Sequence, residues 1–338
     1  MLSTPSARPQ RHLAISHWAM SSLNLLLLKA VTSSAVGPVC YRHPDRQTYI
    51  RCSRCERPIC PDCMTSAAVG FQCPDCLAAG QAAVRKPRTR FGGQIAEGAV
   101  VTKTLIGINV AAFILQYLIG FNASIERFSL LGYALNAQGE AIGVAAGQYY
   151  RIVTATFMHG SIVHILFNMY VLYLFGPSLE QALGRARFIT LYVLSAVGGS
   201  VVSLTFSASN TPSVGASGAI FGLMGATLVV RAAMREEVTS VLVFIGINLA
   251  FGFVVPSIDW RAHVGGLIVG SVVAALFAYG PVLVQRDRSR ATRGGLTPGG
   301  AVVSHQPAAQ VVVFSGIAVV IVIMVALVMY RVQQLRGF

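Results

Sequence analysis

The chain has 338 residues, of which 54% are apolar and only 11% charged, with a formal net charge of +14. A soluble domain carries about 25% charged residues, so this composition excludes a soluble globular chain, and with it a disordered polar tail, a collagen-like repeat and a disulfide-rich miniprotein. Of the 38 Lys, Arg, Asp and Glu residues, 18 precede Thr104, which leaves the remaining two thirds of the chain suited to lipid. The basic excess reads as a signal that orients a membrane chain; no interleaved aromatic and basic stripe points to nucleic acid.

Residues 1–39 place Arg8 and Arg11 before a short apolar run, Leu23 to Leu28, with small residues from Ser33 to Gly37. The pattern is like that of a signal peptide. The run is short, however, and export would carry the following cysteine cluster with it, so an unfolded extension is expected.

All seven cysteines fall between Cys40 and Cys76. They read as four pairs with a two-residue gap: Cys40 with His43, Cys52 with Cys55, Cys60 with Cys63, and Cys73 with Cys76. Eight thiolate and imidazole ligands fill two tetrahedral Zn²⁺ sites with none left over, which makes the sites closed and structural. An odd cysteine count and a cytoplasmic position oppose a disulfide framework. The spacing resembles B-box-like zinc modules, in which alternate pairs share an ion. That resemblance implies one site from Cys40, His43, Cys60 and Cys63 and another from Cys52, Cys55, Cys73 and Cys76, with sequential pairing as the alternative. The module is expected over 40–76, with a cytoplasmic protein partner as one use for it, and a basic Pro/Gly linker over 77–103.

Seven apolar stretches follow, at roughly 104–120, 160–177, 188–206, 214–230, 239–255, 262–283 and 311–330, each near the ~20 residues a bilayer requires. This predicts an all-α polytopic membrane protein: six helices over 104–283, a linker over 284–310, a seventh helix and a short external tail, 331–338. One side receives Lys103, Arg185, Arg187, Arg231, Arg235, Arg286, Arg288, Arg290 and Arg293. That side is predicted to be cytoplasmic, with the N-terminus inside and the C-terminus outside. Glu180 is expected to pair with Arg187 there.

Polar side chains within the bilayer are costly and need a reason. The second helix and its approach carry Arg151, His159, His164 and Asn168; the fourth opens with GASGAIFG, and the sixth with RAHVGGLIVG. A rise of 1.5 Å per residue through a ~30 Å core puts Ser217 roughly 9 Å and Asn168 roughly 12 Å below the outer surface, with His263 a few ångströms shallower. A nucleophile, a base and an amide donor thus converge near one level. Polar backbone before Ser217 at that depth must line a water-filled or protein cavity. Gly218, Gly222 and Gly225 after the serine, and Gly266 and Gly270 after the histidine, would let two helices touch backbone to backbone.

These residues resemble the rhomboid family of intramembrane serine proteases over roughly 104–283. The match lies in the series His159, His164 and Asn168, in G-x-S-G at Gly215 to Gly218, and in A-H-x-x-G at Ala262 to Gly266. The seventh helix is similar to the family's six-plus-one arrangement, whereas Tyr150 stands before Arg151 where the family usually has Trp. The resemblance implies that Ser217 is the nucleophile and His263 its general base, with Asn168, His164 and the Ser217 N–H as oxyanion donors, and that His159 braces the first loop. It implies no catalytic cofactor, membrane-protein substrates, and a multi-pass position in the plasma membrane. An inactive rhomboid-like protein that escorts membrane proteins is the alternative. A zinc-gated transporter fits less well, because the seven helices show no internal repeat.

Overall fold

The computed structural model describes residues 37–83, 88–291 and 306–337. Most of the expected extension, the pair Arg85 and Lys86, and residues 292–305 of the expected linker, Arg293 among them, lie outside the described residues. The chain divides into two compact units, Met1–Arg85 and Lys86–Phe338.

In the first unit a hairpin pairs β1 (Thr65–Ser66) with β2 (Phe71–Gln72), followed by α1 (Pro74–Ala83). Its interior is mostly sulfur: Cys40, Cys52, Cys60, Cys63 and Cys73 are buried around Ile59. So short a segment cannot bury enough hydrocarbon to fold unaided, and its ligand side chains take the place of a core.

The second unit contains α2 (Val100–Ile119), α3 (Phe121–Phe128), the hairpin β3 (Ala134–Leu135) with β4 (Ala141–Ile142), α4 (Arg151–Thr154), α5 (Ile162–Leu183), α6 (Arg185–Phe206), α7 (Ser217–Met234), α8 (Thr239–Val254), α9 (Trp260–Ala291) and α10 (Gln306–Arg336). Six of these helices are long and apolar enough to cross a membrane. The remaining apolar segment, α8, has 16 residues, about 24 Å of helix against a ~30 Å core. All seven apolar stretches are therefore helical, and the fold is a helical membrane bundle preceded by a Cys/His module.

The helix ends differ from the sequence pattern. Pro177 removes one N–H from α5 without ending it; the helix stops instead at Gly184, whose φ of 80° suits glycine. Arg185 and Arg187 begin α6, their long side chains able to reach out of the apolar zone. Where a linker is expected, residues 88–94 form a tight turn with Phe91 buried in the helical unit. The expected tail is the last turn of α10, where Arg331 donates to the carbonyls of Leu204 (3.2 Å) and Ser207 (3.0 Å) and Arg336 to that of Ala145 (2.7 Å). These contacts tie the seventh helix to the two loops on that side.

Burial ranks the helices: 67% of the α6 span and 61% of α7 are buried, against 22% of α2 and 17% of α10. The centre is therefore α6, α7 and α9. Gly218 and Gly222 of α7 face Gly266 and Gly270 of α9 so closely that a Cβ on Gly266 would fall on the Gly218 carbonyl, and one on Gly270 on that of Gly222. Gly218 also abuts α6, where a built Cβ would lie 3.4 Å from Gly199 Cα.

One expectation is corrected. Glu180 does not pair with Arg187. Its buried carboxylate accepts from the Val101 and Thr102 N–H groups and the Thr102 hydroxyl, each at 2.9 Å, which satisfies orphan donors at the start of α2. The nearest cation is Arg185 at 4.0 Å, while the Arg187 guanidinium lies over the Phe277 ring, 5.1 Å from its centroid. Chain proximity suggested the wrong partner because the helix N-terminus that needs the charge is 78 residues away.

Gly266→Val should lower stability in detergent by about 1–3 kcal/mol or more, as overpacked sites do. Gly107→Ala, on α2 with nothing within 4 Å of a new Cβ, should be neutral or slightly stabilising. Denaturant unfolding of the two variants beside wild type checks the contrast.

Candidate active site and metal centre

The loop into α7 is held from both sides. Ser213 and Leu130 exchange backbone hydrogen bonds at 2.9 Å, and the Gly215 N–H donates to the Ala155 carbonyl at 2.9 Å. Arg151, itself buried, secures the Leu130 side by donating to the carbonyls of Glu126 (2.8 Å) and Ser129 (2.9 Å) and to Gln148 Oε1 (2.7 Å). Gly215 has φ 124°, a conformation open to glycine, and α7 begins two residues later at Ser217. The sequence pattern started this helix at 214; the later start puts Ser217 in the first turn, where backbone N–H groups have no intrahelical acceptor and the helix dipole is positive.

His164 and Asn168, one turn apart on α5, converge on that loop. A Cβ built on Gly215 would lie 2.8 Å from His164 Nε2 and 3.6 Å from Asn168 Nδ2. His164 Nδ1 faces the Gly160 N–H at 3.4 Å, so the ring proton is assigned to Nε2, the atom beside Gly215. Asn168 Nδ2 is buried and has no acceptor among the described residues.

On α9, His263 is 7% exposed and stacks on Phe221, with ring centroids 4.2 Å apart and planes 13° from parallel. Phe221 is one helical turn after Ser217 on the same face of α7. No hydrogen bond within 3.5 Å joins Ser217 to His263, and His263 Nδ1 is buried without a partner. Catalytic hydrogen bonds are often long before substrate binds. Asp259 caps α9, accepting from the N–H groups of Arg261 (3.1 Å) and Ala262 (3.2 Å), and its other oxygen takes the Ser203 hydroxyl of α6. Neither Phe221 nor Asp259 was anticipated, although an Asp just ahead of an apolar helical run is a readable cap signal.

His159 is fully buried and packs edge-on against His164 at 5.2 Å. The Gln116 side chain of α2 clamps its backbone, donating to the carbonyl (2.9 Å) and accepting from the N–H (3.2 Å). Beside Ser217 is a small cavity of about 20 Å³ lined in part by Thr156, Ser200 and Ser213, large enough for one water.

In the first unit, the ligand atoms of Cys40, His43, Cys60 and Cys63 lie within 4.8 Å of one another, as do those of Cys52, Cys55, Cys73 and Cys76. The pairing is thus alternate rather than sequential. His43 Nδ1 is 3.3 Å from Cys60 Sγ, 3.4 Å from Cys63 Sγ and 3.8 Å from Cys40 Sγ, and Cys55 Sγ is 3.7 Å from Cys73 Sγ. A tetrahedron with metal–sulfur bonds of about 2.3 Å has edges of roughly 3.7 Å, so both clusters have the dimensions to hold zinc. All seven cysteines are free, which excludes the disulfide framework. Burial pushes the Cys40 and Cys52 thiols up, but backbone N–H donors outweigh it and bring both down to about 6. Arg57 supports the all-cysteine cluster alone: it donates to Cys55 Sγ at 3.3 Å, pairs with Asp75 at 3.1 Å and lies over the Tyr41 ring.

The Rhomboid domain family model matches residues 146–280, a range that contains His159, His164, Asn168, Ser217 and His263 and excludes the Cys/His module. The chain is 36% identical over 179 residues to "Rhomboid protease GluP" of Bacillus subtilis, covering 52% of this chain and 34% of that protein. It is 30% identical over 174 residues to "Putative rhomboid protease YdcA" of the same organism, covering 49% of this chain and 87% of that protein. It is 34% identical over 175 residues to "RHOMBOID-like protein 6, mitochondrial" of Arabidopsis thaliana, covering 50% and 52%. The chain thus spans about a third of the first of these relatives and half of the last.

Elemental analysis of the purified full chain should give two zinc ions. Arg57→Leu should weaken one of them, in the all-cysteine cluster, by about 10–100-fold in competition with a chelator and leave the other unchanged. Equal loosening of both ions would contradict the assignment.

Proposed function

The chain belongs to the rhomboid family, and from that premise we propose that it is an intramembrane serine endopeptidase acting through a Ser217–His263 dyad. The observation that carries this reading is the meeting of three elements at the start of α7: the free N–H end of the helix, His164 and Asn168 against Gly215, and His263 stacked one turn below Ser217.

In this reading neutral His263 takes the Ser217 proton as the hydroxyl attacks a peptide carbonyl, then returns it to the leaving amine. The tetrahedral oxyanion forms where the Ser217 N–H, Asn168 Nδ2 and His164 Nε2 can donate to it. The acyl-enzyme is released by water, for which the cavity beside Ser217 provides room. No cofactor takes part. The two Zn²⁺ ions are structural and hold the N-terminal module together, which would let it present a surface to a cytoplasmic protein.

Substrates in this proposal are membrane proteins whose helices unwind near the outer face, because an intact helix keeps its carbonyls in hydrogen bonds. In this reading the N-terminus is cytoplasmic and the C-terminus external, in the plasma membrane, which the arginines at the start of α6 and the end of α7 support. The escort reading draws its support from the missing Ser217–His263 hydrogen bond.

Cleavage of a single-span substrate in lipid vesicles separates the two. Ser217→Ala and His263→Ala should abolish turnover, and Asn168→Ala should lower kcat by about 10²–10³-fold, the effect of losing one oxyanion donor. If folded wild type binds several such substrates and cuts none, the escort reading replaces the protease.

A further inference from the structure

A second, larger cavity of about 390 Å³ opens between α5, α7 and α8 at the end of the bundle opposite Ser217. Its walls include Leu174, Phe175, Leu179, Val230, Val241 and Phe244, with the Phe175 and Phe244 rings packed against one another at 5.6 Å between centroids, so that α5 and α8 touch there. Three hydroxyls reach it, and each has its proton committed. Ser178 donates to the Phe175 carbonyl at 3.1 Å, Thr227 to that of Leu223 at 2.9 Å, and Ser240 to Glu237 Oε2 at 3.3 Å. A trapped water needs two to four polar partners, so the interior favours hydrocarbon.

The mouth is different. Arg231 and Glu236 both line it, 38% and 51% exposed, and form a loose ion pair with Nε and Oε2 at 3.9 Å, beyond hydrogen-bond distance, which solvent at this exposure makes weak. Arg231 makes one contact of 3.2 Å to the Glu237 carbonyl, which leaves most of its five donors available. An apolar cavity thus ends in one cation and one anion, at the level where an arginine-rich helix end meets lipid headgroups.

We propose that this cavity is a binding site for a zwitterionic aminophospholipid, with part of an acyl chain in the apolar space lined by α5, α7 and α8, its phosphate on Arg231 and its primary ammonium on Glu236. The chemistry selects the headgroup. A glycerol headgroup offers Glu236 no cation, and a choline headgroup carries its charge on a nitrogen with no proton to donate. A transmembrane helix is excluded by size: its ~10 Å diameter would fill the volume in less than one turn. The site stands apart from Ser217 and does not depend on the protease reading.

The test uses the full-length protein in nanodiscs containing equal parts of phosphatidylethanolamine, phosphatidylglycerol and phosphatidylcholine, followed by native mass spectrometry of the lipid retained. Wild type should hold one phosphatidylethanolamine at least five-fold above its bulk share. Glu236→Gln, on the exposed rim, should bring that enrichment down to the level of phosphatidylglycerol. Ser178→Phe should fill the cavity and remove the retained lipid while the helical circular dichroism is kept. Retention at the bulk ratio by wild type, or unchanged enrichment in Glu236→Gln, overturns the proposal; the rim variant decides the matter even if Ser178→Phe does not fold.

Discussion

The contact on which the rest of the helical unit depends is the backbone-to-backbone approach of α7 and α9. In lipid there is no hydrophobic force between helices, so close packing and hydrogen bonds must hold them. Gly218 against Gly266 and Gly222 against Gly270 bring the axes to a distance that any side chain would forbid. Because His263 lies one turn before Gly266 and Ser217 directly before Gly218, the same contact puts both at one depth. The third helix of the centre, α6, meets this pair through Gly199 and reaches α9 again through Ser203 on Asp259.

Around that centre the buried polar groups divide into those that are satisfied and those that are not. Glu180, Gln116 and Arg151 each hydrogen-bond backbone groups of another segment, and so fix α2 and the first loop relative to α5. Asn168 Nδ2, both ring nitrogens of His159 and His263 Nδ1 have no partner among the described residues. Leaving such groups unpaired costs about 1–3 kcal/mol each. On the reading proposed above, the Asn168 donor is left free for charge that develops only during reaction, when it needs no reorganisation to respond. A second unpaired group, Asn109 Oδ1 with the hydroxyls of Tyr192 and Ser195, lies on α2 and α6 and has no role in that chemistry.

Much of this was legible in the sequence, for identifiable reasons. Apolar runs near twenty residues have few alternatives to membrane helices, and paired cysteines at two-residue gaps have few alternatives to metal ligands. The alternate pairing of those ligands was implied by resemblance alone; the spatial grouping supplies it directly. Contacts that depend on long-range geometry were not legible. Glu180 had an arginine nearby in sequence, yet its partners are on α2. The second apolar stretch was drawn only to 177, yet α5 runs on through Pro177, because a single missing N–H did not outweigh the packing of its last turn, where Leu179 and Leu183 are buried. The positive φ of Gly215 and the stacking of Phe221 on His263 leave no periodic trace at all.

On the proposed Ser217–His263 dyad, that no carboxylate among the described residues bonds the His263 ring also has a physical explanation. Asp259 lies four residues before His263, close enough along α9 to suggest an orienting partner. Its two oxygens, however, are committed to the first-turn N–H groups of α9 and to the Ser203 hydroxyl. The carboxylate therefore fixes the helix that carries the imidazole and does not hold the ring. Ring orientation falls instead to Phe221, whose near-parallel face restricts rotation of the imidazole without forming a hydrogen bond. In a low-dielectric bundle that division is consistent: a charge at the helix end is compensated by the dipole and two N–H donors, whereas one buried beside the ring would need a counter-charge that the site does not contain.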